Sequence, residues 1–160
     1  MTHKYPDMRI AVFAGSFNPF TVGHLSVLKR GLELFDRVVV VIGVNDAKQS
    51  AEDECAARVE TLRSQLATLE RVEVIAWSGL TVDAAKSVGA RWLLRGVRSV
   101  ADFEYERNLA DVNRVISGIE TVLLFSEPDV AMVSSSMVRE LQRYGYDVSR
   151  FVPPEQEKVN

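Results

Sequence analysis

The sequence predicts an α/β fold, an open five-stranded parallel sheet with helices on both faces. Three observations carry this. Short apolar runs alternate about five times with longer stretches of helical periodicity. Such alternation builds βαβ units joined by right-handed crossovers. The run VVVVIGV at 38–44 is apolar throughout, which fits a central strand covered on both faces. At 160 residues, the chain can bury one sizeable core, and two would be cramped.

Each element has its own signal. The first strand is IAVFA at 10–14. A helix over 23–35 follows, with Leu25, Leu28, Leu32 and Phe35 at three- and four-residue spacing. After the strand at 38–44, a helix over 51–69 places Val59, Leu62, Leu66 and Leu69 on one face. The third strand is 72–77, followed by a short helix over 80–88. The fourth strand is 92–94, and a helix over 100–116 has Leu109, Val112 and Ile116 in register. A fifth strand at 121–125 precedes a last helix over 135–144, with serines available as its N-cap.

Composition bounds the function. The chain is 47% hydrophobic and 26% charged, as in soluble globular proteins. Its net charge of -3 argues against a nucleic-acid binder. The single cysteine, Cys55, cannot form an intrachain disulfide and fits a reducing compartment. Two histidines and one cysteine leave no structural zinc site. The opening MTHKYPDM lacks a signal peptide's apolar stretch, and no apolar run is long enough to span a bilayer. The expectation is a cytoplasmic protein with no membrane partner. It forms a single domain over 1–160, frayed at 1–8 and 154–160.

Ligands of such sheets sit beyond the carboxyl ends of strands, so the site is expected there. The first strand runs into GSFNPFTVGH at 15–24. Free amides at the following helix start favour phosphate, and Ser16 and His24 add side-chain donors. The plainer reading is a tight βα turn with an exposed histidine. Lys48 follows the second strand and is either a mobile charge for a phosphate or a solvated lysine. Arg95 and Arg98 flank Gly96-Val97 after the fourth strand. They suit either forked phosphate binding or surface pairing, and Gly96 would let the backbone approach a ligand. Asp102 and Glu106 share a helix face and could pair with Arg98 or Arg107. Ser134, Ser135 and Ser136 open the last helix, either as a cap or as an anion site.

Taken together, these motifs resemble a known family. Thr21-Val22-Gly23-His24 is similar to the (T/H)xGH signature of the nucleotidyltransferase superfamily. RGVRSVADFEYE, at 95–106, resembles the middle segment of bacterial phosphopantetheine adenylyltransferases. VSSSMVRE, at 133–140, resembles their ATP-phosphate motif. One departure is Val130, where many relatives carry a bulky aromatic residue. The resemblance covers Arg9 to about Pro153.

The resemblance implies a Rossmann-like sheet and transfer of AMP from ATP to 4′-phosphopantetheine. The products would be dephospho-coenzyme A and pyrophosphate, formed by direct in-line attack. It implies His24, Lys48, Ser16 and Arg95 as catalytic residues. ATP would meet Ser16, Phe17, His24, Gly96, Val97, Arg98, Glu106, Val130, Ala131, Met132, Val133, Ser134, Ser135 and Ser136. The acceptor would meet Ser16, Lys48, Thr81 and Arg95. It further implies Mg²⁺ carried by the ATP phosphates rather than by protein ligands, coenzyme A among the ligands, and a homohexamer. The alternatives are a nicotinamide mononucleotide adenylyltransferase or a nucleotide sensor without catalysis.

Overall fold

The computed structural model describes residues 7–44 and 51–156. Five parallel strands form one sheet in the order β3-β2-β1-β4-β5. They are β1 (Ile10–Gly15), β2 (Arg37–Val44), β3 (Val72–Ser78), β4 (Trp92–Val97) and β5 (Glu120–Phe125). The helices are α1 (Val22–Leu34), α2 (Ala51–Gln65), α3 (Thr81–Ser87), α4 (Val100–Ser117) and α5 (Ser135–Arg143). A 3₁₀ turn, Ser149–Phe151, follows α5.

Strand alternation sorts the core into two layers. Ala11, Phe13, Val38, Val40, Ile42 and Leu94 face α1 and α2. Ile10, Val12, Ala14, Val39, Val41 and Leu93 face the other way, toward Val82, Ala84 and Ala85 of α3. The expected two-faced parallel sheet is therefore present. A smaller cluster of Val133, Val138 and Val148 seats α5 beside it.

β4 runs three residues further than its apolar signal. Its ladder with β5 continues through Arg95↔Leu123, Gly96↔Leu124 and Val97↔Phe125. Arg95 and Gly96 are thus strand residues, and the polar arginine masked the strand in the sequence. Gly96 also serves packing: a Cβ there would come within 2.9 Å of Val27 Cγ2 on α1. Gly31 does the same from the helix side, where a Cβ would collide with Leu94. Two missing side chains let α1 lie close on β4.

α4 forms as its periodicity predicts, but its apolar stripe is not covered: Leu109, Val112 and Ile116 are 36%, 56% and 52% exposed. Glu106 is the helix's buried residue. α4 packs on β4 and on β5, at the end of the sheet, so its apolar stripe extends past the sheet. Of the ends expected to fray, residues 1–6 and 157–160 lie outside the described residues. Residues 154–156 run along α2, where Gln156 N–H donates to the Ser64 carbonyl at 3.3 Å.

Candidate active site

Strand order reverses between β1 and β4, the switch point at which open α/β sheets bind ligands. The β1–β4 ladder pairs only Ala11↔Trp92 and Val12↔Leu93. Beyond it lies a cavity of about 400 Å³. His24, Arg95, Arg98 and Arg139 line it together with Ser16 and Ser134 to Ser136. Among the described residues, no carboxylate side chain is in that lining.

His24 is fixed by the start of α1. Thr21 is the N-cap, and its hydroxyl accepts the His24 N–H at 3.3 Å. The ring reciprocates: Thr21 N–H donates to His24 Nδ1 at 3.0 Å. This is a capping box with histidine in the place usually held by Glu or Gln. A backbone N–H can only donate, so Nδ1 is the acceptor and carries no proton. The neutral ring must then hold its proton on Nε2, ready to donate.

Surroundings keep that ring neutral. Phe13, Phe17 and Phe20 stand around it with centroids 6.3, 5.1 and 5.3 Å away. Burial, followed by the charges of Arg98 and Arg95, lowers the His24 pKa from 6.5 to about 4. The folded value lies below the unfolded one. As pH falls, the unfolded chain therefore takes the proton first, and stability declines between pH 6.5 and about 4. A histidine-resolved NMR titration of the free protein should give a His24 midpoint near 4. A midpoint near 6.5 would contradict this environment.

Arg95 is held in place by several partners. Its Nε and Nη2 donate to Glu106 Oε2 and Oε1 at 2.9 and 2.7 Å. Its Nη1 reaches across the switch point to the Ala14 carbonyl at 2.5 Å. Glu106 is only 6% exposed, so the pair is a forked and largely desolvated one. Sequence reading paired Glu106 with Arg98 or Arg107; the structure pairs it with Arg95. Arg98 pairs with Asp102, at 3.6 Å, one of the pairings the sequence offered. Arg95 also lines a second groove, of about 240 Å³, with Gly43, Trp77, Thr81 and Leu109. Thr81 thus lies away from the serine turn but shares Arg95 with it. Glu106 lines neither of these two cavities.

The three serines differ in what they have left to offer. Ser134 caps α5, accepting Met137 N–H at 3.1 Å, and its oxygen is 3.2 Å from that of Ser136. Ser135 donates its hydroxyl proton to the Pro19 carbonyl at 2.7 Å. Val133 is buried in the cavity wall, and Met132 is exposed. The Val130 and Val133 carbonyls lie near Gly23 at the start of α1. Val97 is buried, and its carbonyl accepts Ser126 N–H at 2.8 Å. Lys48 lies outside the described residues.

Sequence reading placed Arg139 in the VSSSMVRE motif but gave it no role at the site. Its Nη1 donates to the Asn18 carbonyl at 2.6 Å, and it lines the cavity. Its spacing of four from Ser135 on one helix could have revealed it.

An open α/β sheet with a cationic cavity at its switch point is an arrangement suited to a nucleotidyltransferase. The cytidylyltransferase-like family matches residues 12–141. Two relatives are closer in sequence. The phosphopantetheine adenylyltransferase of Phocaeicola vulgatus is 47% identical over 146 residues, covering 91% of this chain and 96% of that protein. That of Porphyromonas gingivalis is 49% identical over 147 residues, covering 90% and 94%. Within the nucleotidyltransferases, the chain belongs to the phosphopantetheine adenylyltransferase family. Among solved structures, a bifunctional NMN adenylyltransferase/ADP ribose pyrophosphatase from Francisella tularensis superposes with a TM-score of 0.67 at 14% identity. The match spans 92% of this chain and 45% of that one, and it shows the shared fold.

Proposed function

We propose that the protein transfers AMP from ATP to 4′-phosphopantetheine, forming dephospho-coenzyme A and pyrophosphate in coenzyme A biosynthesis. The observation that carries this is a switch-point cavity whose charged side chains are all cationic, in a chain with close relatives of that name. Two anions must meet there, and their repulsion must be offset.

An oxygen of the acceptor phosphate attacks the α-phosphorus of ATP. The bond to the β-phosphate oxygen breaks, and pyrophosphate leaves. Ser16, Lys48 and Arg95 hold the acceptor phosphate, with Thr81 along the pantetheine arm. His24 donates from Nε2 to α-phosphate oxygen as charge shifts. Phe17, Gly96, Val97, Arg98, Val130 to Val133 and the three serines hold ATP. Glu106, expected at ATP, acts in this arrangement as the partner of Arg95. No protein nucleophile is required, because positioning and charge stabilisation suffice. Mg²⁺ would travel with the triphosphate and offset its charge; the described residues of the cavity lining include no carboxylate, which supports that placement.

Dephospho-coenzyme A and coenzyme A share the pantetheine arm and would enter the same groove. The exposed apolar stripe of α4 supports self-association, and the family resemblance makes it a homohexamer, so a mass near six times 17.9 kDa is expected in solution. Use of ATP and a lone buried thiol, Cys55, support a cytoplasmic location. Among the described residues, no helix is long and apolar enough to cross a membrane.

Pyrophosphate release tests the assignment. With Mg-ATP, 4′-phosphopantetheine should drive it and nicotinamide mononucleotide hardly at all. The opposite preference, or ATP binding without release, would overturn it. For the acceptor side, Lys48→Gln should weaken 4′-phosphopantetheine binding by about one to two decades, the loss of one charge-assisted hydrogen bond. Titration calorimetry reads this directly, and a selective loss of ATP affinity would place Lys48 on the other substrate.

A further inference from the structure

We propose that Arg58 is a positioning residue for the transfer site, aiming the Ser16–Phe17 peptide at the phosphates; this rests on the function proposed above. Arg58 does not line the cavity. From α2, its Nη1 donates to the Ser16 carbonyl at 2.8 Å. The Ser16–Phe17 peptide is trans, so its N–H points opposite to its carbonyl. Holding the carbonyl toward α2 therefore directs the Phe17 N–H away from α2.

Three facts place that amide at the site. Ser16 and Phe17 both line the cavity. The Phe17 ring is buried against Phe13, Phe20 and His24, which anchors the residue beside His24 in the cavity wall. Among the described residues, no group accepts the Phe17 N–H. The conformation also needs support. Phe17 has φ of 44°, in the left-handed region that costs a non-glycine residue energy. The ring cluster holds one side of it, and Arg58 holds the other.

The same loop is treated alike along its length. Ala14, Asn18 and Pro19 carbonyls are taken by Arg95, Arg139 and Ser135. Those three donors belong to the motifs already described; Arg58 does not. Its base is rigid, because Cys55, Val59 and Leu62 seat α2 in the core. Arg58 thus extends the site's frame to a helix that carries none of the recognised motifs.

The test uses the full chain with ¹⁵N-labelled phenylalanine, the Phe17 signal being assigned by its loss in Phe17→Leu. In the wild type, Mg-ATP alone should shift the Phe17 amide. In Arg58→Met, that shift should vanish while other phenylalanine signals persist. Turnover should fall about 10- to 100-fold, the scale of a misplaced reacting group, with kcat changing more than the ATP KM. Arg58→Lys, which keeps the charge and a donor, should recover part of both effects. Native turnover in a folded variant, or a Phe17 shift that survives in Arg58→Met, would overturn the proposal. The amide readout needs no acceptor, so it is independent of the assignment of 4′-phosphopantetheine.

Discussion

His24→Ala should lower kcat by about 10²–10³ while ATP affinity changes only a few-fold. The expectation follows from the ring's fixed tautomer. Thr21 N–H occupies Nδ1, so Nε2–H is the donor at neutral pH without any titration. A donor oriented in advance, among three phenylalanine rings, meets developing charge at no cost of reorganisation. ATP keeps its other partners in the variant, which is why ground-state binding should hardly change. Steady-state kinetics alongside direct ATP titration separates the two effects. His24→Asn refines the result, since its amide can still donate and should retain more activity than Ala. Near-native turnover in a folded His24→Ala protein would reduce the histidine to a helix cap.

Arg95→Met should be costly twice over. Its partner Glu106 is 6% exposed, and removing the guanidinium strands a buried carboxylate. Breaking such a pair typically costs about 3–5 kcal/mol of stability. In the proposed site the acceptor phosphate also loses a cationic partner, so kcat/KM for 4′-phosphopantetheine should fall steeply. The double variant Arg95→Met/Glu106→Leu separates these losses. With no orphaned charge, it should regain much of the stability measured by urea unfolding. Activity should stay low, because the phosphate ligand is still missing. Recovery of activity with the double variant would show that Arg95 serves the fold alone.

The architecture was legible because apolar runs and helical periods reflect burial directly. VVVVIGV at 38–44 is a run that a two-faced strand requires, and it became β2. The end of β4 was hidden where function intrudes, at Arg95 and Gly96. A polar residue and a glycine interrupt the apolar signal, although the ladder continues through both. Gly96 was read as room for a ligand; the structure adds that it is room for Val27. The stripe on α4 shows what periodicity leaves open: it reports an apolar face, not what covers it.

At the site, motifs marked where the chain carries polar donors but not how they are shared. Thr21 and His24 cap one another, a reciprocity that the usual Ser/Thr and Glu/Gln pattern does not announce. Ser135 proved to be bonded to a backbone carbonyl. Arg58 and Arg139 gave little signal for a related reason. Their acceptors are backbone carbonyls 42 and 121 residues away, which carry no side-chain identity to read.

The proposed reaction is a single in-line transfer between two bound anions, with no covalent intermediate on the protein. Stereochemistry at the transferred phosphorus tests it most directly. With ATP made chiral at the α-phosphorus by sulfur substitution, one displacement inverts the configuration carried into dephospho-coenzyme A. Inversion is the predicted result. Retention would mean two displacements and an enzyme-bound nucleotide, and would contradict the account.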